Sequence, residues 1–126
     1  MQAVTQPSSV LFGEARLWAL VPCAGVGSRA LRGLADGQLP KQYQSIAGRP
    51  LVAHTLDALT RVGRLYATVL VVAANDQQAA SLLQGLPIQI APCGGATRAD
   101  SVSQGLAYLE NQGARQDDWV LVHDAA

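Results

Sequence analysis

Leu17-Trp-Ala-Leu-Val-Pro-Cys-Ala-Gly-Val-Gly-Ser-Arg29, followed a little later by Leu39-Pro-Lys-Gln-Tyr43, is the stretch whose reading decides the fold. Leu17 to Val21 is an apolar run halted by Pro22, the pattern of a buried strand that ends where a residue without an N–H cannot join the ladder. A loop must follow. In it Gly25 and Gly27 lack Cβ atoms, so their backbone amides can approach the oxygens of a ligand closely, and phosphate is the usual such ligand. Between residues 29 and 49, Arg29, Arg32, Lys41 and Arg49 stand against Asp36 alone, four cations to one carboxylate in a chain of zero formal net charge. Lys41 is the single lysine among nine cationic residues, and a lone lysine beside a glycine loop suits a point charge for phosphate.

Two anion-binding patterns compete for this loop. A P-loop needs four residues between its glycines and then Gly-Lys-Ser/Thr, which is absent. Gly25-Val-Gly27-Ser-Arg-Ala30 does fit the looser dinucleotide fingerprint, but that motif requires a helix whose N-terminus receives the pyrophosphate. Gly33, Gly37 and Pro40 make residues 28 to 40 poor helix, and the next strand begins only near Tyr66. The context therefore argues against a dinucleotide site.

Outward from the loop, strands and helices alternate. Pro50 to Val62 carries Leu51, Val52, Leu56, Leu59 and Val62 at helical spacing, with Gly63 as a stop. Tyr66 to Ala74 reads as a strand buried on both faces, and Asn75-Asp76 offers a cap for a helix through Leu83. Ile88 to Ala91 is a short third strand. After Pro92 and the Gly94-Gly95 turn, Thr97 is placed to cap a helix from about Arg98 to Gln112 with Val102, Leu106 and Leu109 on one face. Trp119 to His123 is the fourth strand. This alternation predicts an α/β fold with a parallel sheet and right-handed crossovers, and residues 1–16 are expected to be a loose tail.

In open parallel sheets ligands bind outside the carboxyl ends of the strands, where Cys23 to Arg29, Gly94 to Ser101 and Asp124 all fall. Ser101 lies in the first turn of its helix, where orphan amides and the dipole add to its hydroxyl, so it can face a base or phosphate or simply cap. Arg98 in the same turn puts a cation at the wrong end of the dipole, which costs stability unless an anion or carboxylate answers it. Asp124 ends an apolar strand, and a buried carboxylate there needs a metal, a hydroxyl or a cation. His54, off the apolar stripe of its helix, and His123, on the opposite side of its strand from Asp124, receive no catalytic role.

Four blocks taken together resemble a known family. Pro22-Cys-Ala-Gly-Val-Gly-Ser-Arg29, Pro40-Lys-Gln-Tyr43, Gly94-Gly-Ala-Thr-Arg-Ala-Asp-Ser-Val102 and Val122-His-Asp-Ala-Ala126 are similar to the 2-C-methyl-D-erythritol 4-phosphate cytidylyltransferases. The resemblance covers residues 17 to 126. It implies a three-layer Rossmann-like nucleotidyltransferase fold and transfer of CMP from CTP to methylerythritol phosphate, with magnesium and release of pyrophosphate. Such a reaction requires no covalent enzyme intermediate, only alignment of two polyanions and stabilisation of spreading charge. By the same resemblance Arg29 and Lys41 act on the triphosphate. Cys23, Ala24, Gly25, Gly27, Gly95, Arg98 and Ser101 hold the nucleotide, and Asp124 and Ala125 touch ribose or the magnesium environment. Cys23 stands where the family commonly has alanine, Ser28 where it often has arginine, and Ala96 where some members have aspartate. The family is homodimeric, and its chain continues past Ala126 with an Arg-Pro, a dimerising arm and acceptor-binding residues. Residues 17–126 are therefore expected to be the nucleotide-binding half, ending after the fourth strand. A nucleotidyltransferase for another sugar phosphate and a non-catalytic nucleotide-binding domain remain open alternatives.

Composition bounds the reading independently. A chain of 126 residues with 49% hydrophobic content fits one globular domain, and zero net charge with 14% charged residues offers no general attraction to nucleic acid polymers. No run reaches the length of a membrane span and residues 1 to 16 lack a signal-peptide pattern, so cytoplasm is the expected location. Cys23 and Cys93 make no disulfide framework and have no zinc-type neighbours, so free thiols are expected.

Overall fold

A computed structural model describes residues 15–24 and 40–125. Four strands form one parallel sheet in the order β5-β4-β1-β6: β1 (Leu17–Pro22), β4 (Leu65–Ala73), β5 (Gln89–Gly94) and β6 (Trp119–Val122). Between β1 and β4 the described chain adds a single 3-10 turn (Lys41–Tyr43), a two-residue hairpin pair β2 (Ser45–Ile46) and β3 (Arg49–Pro50), and helix α1 (Leu51–Thr60). Helix α2 (Ala79–Leu82) joins β4 to β5, and α3 (Arg98–Asn111) joins β5 to β6.

Successive residues of a strand face opposite sides, and the two apolar clusters follow that rule. Val21, Leu70 and Val72 meet Val52, Leu56 and Leu59 of α1 on one face. Trp18, Leu20, Val69 and Val71 meet Leu109 of α3 on the other. The result is three layers, with β1 central and buried from Trp18 to Val21. The expected parallel α/β architecture is therefore present.

Local chemistry explains most boundaries and the departures from expectation. Thr97 caps α3 as foreseen: its hydroxyl accepts from Asp100 N–H at 3.0 Å while the Asp100 carboxylate accepts from Thr97 N–H at 3.3 Å, a reciprocal capping box. Asp76 also caps, accepting from Gln78 and Ala79 N–H at 2.8 and 2.9 Å, yet the helix it starts lasts a single turn rather than continuing through Leu83. Gly85, at φ +87°, turns the chain away just beyond. β5 runs on through Pro92 and Cys93 instead of stopping at Ala91. Proline is admissible there because β5 is an edge strand, and the ladder with β4 shifts register between Val71 and Ala73. The hairpin of β2 and β3, turning at Ala47 and Gly48 with φ 52° and 80°, was not expected from the sequence.

The face of α3 differs too. Ser101, Gly105 and Leu109 are its buried positions, whereas Leu106 is 41% exposed. A Cβ on Gly105 would lie 2.8 Å from both Leu20 Cδ1 and Val71 Cγ2, so the glycine lets the helix settle onto the sheet. β6, at the other edge, packs Val120 and Val122 against the α3 side and leaves Trp119 and Leu121 exposed.

At the opposite end of the sheet from the loops, Asp118 ties β1 to β6. Its carboxylate, 1% exposed, accepts from Arg16 N–H at 2.9 Å, Trp18 Nε1–H at 3.0 Å and Arg115 N–H at 2.9 Å, with the Arg16 guanidinium 3.3 Å away. Burial alone would raise its pKa, but these donors and the Arg16 charge outweigh it and hold the carboxyl well below the usual carboxylate range. Among the described residues no helix is long and apolar enough to cross a membrane.

Candidate nucleotide site

The carboxyl ends of the four strands deliver the candidate residues to one edge of the sheet. Cys23 N–H donates to Val71 O at 2.7 Å, which carries the β1 ladder one residue past Pro22 and leaves Ala24 just beyond the strand end. Gly94, at the end of β5, faces it so closely that a Cβ there would collide with the Ala24 methyl and sit 2.9 Å from Val72 O. A Cβ on the neighbouring Gly95 would collide with the Asp100 side chain. Bare backbone at both positions is thus a steric requirement, and at Gly94 it brings the ends of β1 and β5 together.

Ser101, 1% exposed, fastens this turn from behind. Its hydroxyl accepts from Gly95 N–H at 3.2 Å and lies 3.5 Å from Gly95 O. The dipole mismatch foreseen at Arg98 is answered by a carboxylate: Arg98 Nε donates to Asp124 Oδ1 at 2.9 Å. Both partners are open to solvent, 60% and 65% exposed, so Asp124 is not the buried acid that its place after an apolar strand suggested. The strand stops at Val122, His123 N–H bonds Leu20 O at 3.1 Å, and the Asp124 side chain then stands in solvent, paired with Arg98 of α3. Ala125 is buried at 7%, and its carbonyl accepts from Thr55 Oγ1 at 3.0 Å, tying the β6 end to α1.

Lys41 opens the 3-10 turn and is exposed, whereas Gln42 and Tyr43 behind it are buried. Gln42 Nε2–H donates to Cys23 O at 3.2 Å, so the lysine turn is bonded directly to the residue that follows β1. Tyr43 O–H donates to Asp76 Oδ2 at 2.5 Å. With Asn75 and Gln78 these groups line a cleft of about 270 Å³ beside Cys23 and Ala24. Gly25, Gly27, Arg29 and Arg32 lie outside the described residues.

Cys23 and Cys93 are both free, as expected. Burial pushes the Cys23 thiol up to about 11, despite the opposing Tyr43 hydrogen bond, so it stays protonated at neutral pH and is no nucleophile. Burial and then the bond to Asp76 raise the Tyr43 phenol as well. His54 bonds Ile46 O at 2.7 Å and His123 bonds Asp124 O at 2.8 Å, both local backbone contacts away from any acid–base pair. Sequence reasoning missed Gln42, Tyr43 and Asp76. A polar residue and an aromatic next to the lone lysine were the available signal, but their partners lie 19 and 33 residues away.

An exposed lysine and an arginine–aspartate pair beside a glycine turn can orient an anionic ligand, and among the described residues nothing supplies a covalent catalyst. Residues 17–126 match the family model of IspD, 2-C-methyl-D-erythritol 4-phosphate cytidylyltransferase. A protein named bifunctional enzyme IspD/IspF from Albidiferax ferrireducens is 54% identical over 112 residues, covering 88% of this chain and 26% of its own length. The 2-C-methyl-D-erythritol 4-phosphate cytidylyltransferase of Cupriavidus pinatubonensis is 46% identical over 116 residues, covering 88% of this chain and 44% of its own. A crystal structure of a 4-diphosphocytidyl-2C-methyl-D-erythritol synthase superposes with a TM-score of 0.73 at 30% identity, covering 90% of this chain and 47% of that one. The chain thus spans less than half the length of these relatives, and with a match over residues 17–126 it belongs to the 2-C-methyl-D-erythritol 4-phosphate cytidylyltransferase family.

Proposed function

We propose that this chain holds the nucleotide in the transfer of CMP from CTP to 2-C-methyl-D-erythritol 4-phosphate, with 4-diphosphocytidyl-2-C-methyl-D-erythritol and pyrophosphate as products, a step of non-mevalonate isoprenoid synthesis. The observation that carries the reading is the meeting of Ala24 with Gly94, so close that a methyl at Gly94 has no room. Two strand ends pressed together, with half-buried glycine backbone between them, make a rigid edge against which a base and its phosphates can lie.

In this reading the acceptor's phosphate oxygen attacks the α-phosphorus and pyrophosphate leaves. The protein's contribution is alignment and charge. Ser101 fixes the Gly95 turn that receives the cytosine, Arg29 and Lys41 face the triphosphate, and Cys23, Ala24, Gly25, Gly27 and Arg98 contribute to nucleotide binding. Asp124 and Ala125 border the ribose. Magnesium fits as a partner of the phosphates. Among the described residues no three acidic, histidine or cysteine side chains gather as a cage, and Mg²⁺ commonly takes one or two carboxylates with substrate phosphates and water. Asp124, exposed at the edge of the site, is the carboxylate that would hold it, and the ion would neutralise charge on the phosphates. A homodimer and a cytoplasmic location belong to the same proposal.

Calorimetric titration of the chain with CTP, UTP, GTP and NAD in the presence of Mg²⁺ tests the reading. A clear preference for CTP is expected. Equal affinity for the three triphosphates, or tighter binding of NAD, would overturn it.

A further inference from the structure

The 3-10 turn that presents Lys41 cannot hold itself in place. It is three residues long, Pro40 gives it no side-chain cap, and its own bonds are Tyr43 N–H to Pro40 O at 2.9 Å and Gln44 N–H to Lys41 O at 3.1 Å. Lys41 itself is exposed on a flexible four-carbon stem. What fixes the turn is its buried side. Gln42 reaches Cys23 O at the end of β1, and Tyr43 O–H reaches Asp76 Oδ2 just beyond β4. Asp76 is fixed in its turn, because its other oxygen accepts from Gln78 and Ala79 N–H. The ring of Tyr43 belongs to the apolar cluster with Val52 and Leu56, and the residue is 3% exposed. For packing alone phenylalanine would serve as well, since burying a hydroxyl against a carboxylate gains little over apolar contact. The polar link instead specifies where the turn sits.

We propose that the Tyr43–Asp76 hydrogen bond is a clamp that positions Lys41 for the phosphates of the nucleotide, with Gln42 as its second tie. This rests on the nucleotide reading given above. Tyr43 and Asp76 are positioning residues, acting on the ligand only through the lysine. Their loss must therefore be felt by a ligand that carries phosphates and not by its bare nucleoside.

The experiment uses the full chain with Tyr43→Phe, Asp76→Asn, Lys41→Ala and the Tyr43→Phe/Lys41→Ala double variant. Two readouts are taken: amide hydrogen exchange over residues 40–44, and affinity for CTP with Mg²⁺ beside affinity for cytidine. In Tyr43→Phe the Gln44 amide should exchange about tenfold faster while β1 and β4 amides are unchanged. CTP affinity should fall about tenfold and cytidine affinity stay within twofold. Lys41→Ala should add little in the Tyr43→Phe background, because a displaced lysine has little left to lose. Asp76→Asn keeps an oxygen for the α2 amides and an N–H that can bond the phenol, so it should lie within threefold of the parent. Unchanged exchange at Gln44 overturns the clamp whether or not nucleotide binds. Faster exchange with equal losses for CTP and cytidine, or fully additive losses with Lys41→Ala, overturns its link to the phosphates. If the unsubstituted chain binds cytidine and CTP equally, the nucleotide reading falls instead, and the exchange data alone decide the clamp.

Discussion

Replacing Asp118 by alanine removes the acceptor that joins the start of β1 to the start of β6, and the structure allows its cost to be worked out. Three donors lose their partner: Arg16 N–H, Arg115 N–H and Trp18 Nε1–H. Arg115 and the Arg16 backbone are near solvent and can be rehydrated, but Trp18 is 1% exposed and its indole N–H would be stranded, at about 1–3 kcal/mol. Loss of the charge-assisted bonds adds about 1–2 kcal/mol. The Arg16 guanidinium is not abandoned, because it bonds Gly113 O at 2.5 Å and lies over the Trp18 and Tyr66 rings at 5.2 and 4.3 Å. The total expected for Asp118→Ala is about 2–5 kcal/mol, read by urea unfolding followed through tryptophan fluorescence at neutral pH. Asp118→Asn, which keeps an acceptor, should lose about half as much. The acid side gives an independent check. The folded-state pKa lies below the unfolded value of about 3.9, so the carboxylate's contribution is complete above that pH and is lost as pH falls through the folded value. The parent should therefore lose stability below about pH 4 more steeply than Asp118→Ala. A loss under about 0.5 kcal/mol at neutral pH, or parallel acid profiles for the two proteins, would refute the reasoning.

The site supports two further tests. Gly94→Ala should destabilise by about 1–3 kcal/mol through the collision with Ala24 and Val72 O and weaken CTP binding, and adding Ala24→Gly should restore part of both, measured as a double-mutant cycle. Arg98→Ala breaks a pair in which both side chains are more than half exposed, so stability should move by less than about 1 kcal/mol, while titration should show weaker CTP binding and an altered Mg²⁺ dependence as Asp124 loses its cation.

The strands and helices were legible because they obey local rules. The Leu17–Val21 run, the valine-rich stretch before Asn75 and the Thr97 cap each carry their signal within a few residues, and all three stand where the sequence placed them. The misreadings arise where a long-range neighbour overrides such a rule. The residues alone end the third sheet strand before Pro92, but β5 lies at the edge of the sheet, where a missing N–H can face outward, and edge position is not written in its own residues. Apolar periodicity counts side-chain size and so assigns Leu106 to the buried face. The contact surface of α3 instead centres on Gly105, the residue that contributes no side chain.

The site divides along the same line. Contacts made by backbone at strand ends could be read from glycines, prolines and topology, and Ala24, Gly94 and Gly95 do converge as the open-sheet rule requires. Contacts made by side chains across the fold could not, because neither member of a pair announces the other. Arg98 showed that it needed an anion or carboxylate, and Asp124 that it needed a metal, a hydroxyl or a cation, and pairing the two required the β6 end to lie beside the first turn of α3. Tyr43 stood out as the end of the Pro40–Tyr43 block but gave no sign of its partner, since its hydroxyl finds Asp76 only once the chain is folded. A residue's demand can therefore be inferred before its supplier. That asymmetry explains why the lysine of Leu39-Pro-Lys-Gln-Tyr43 stood out from charge alone, while the two residues that hold it in place emerged only from the fold.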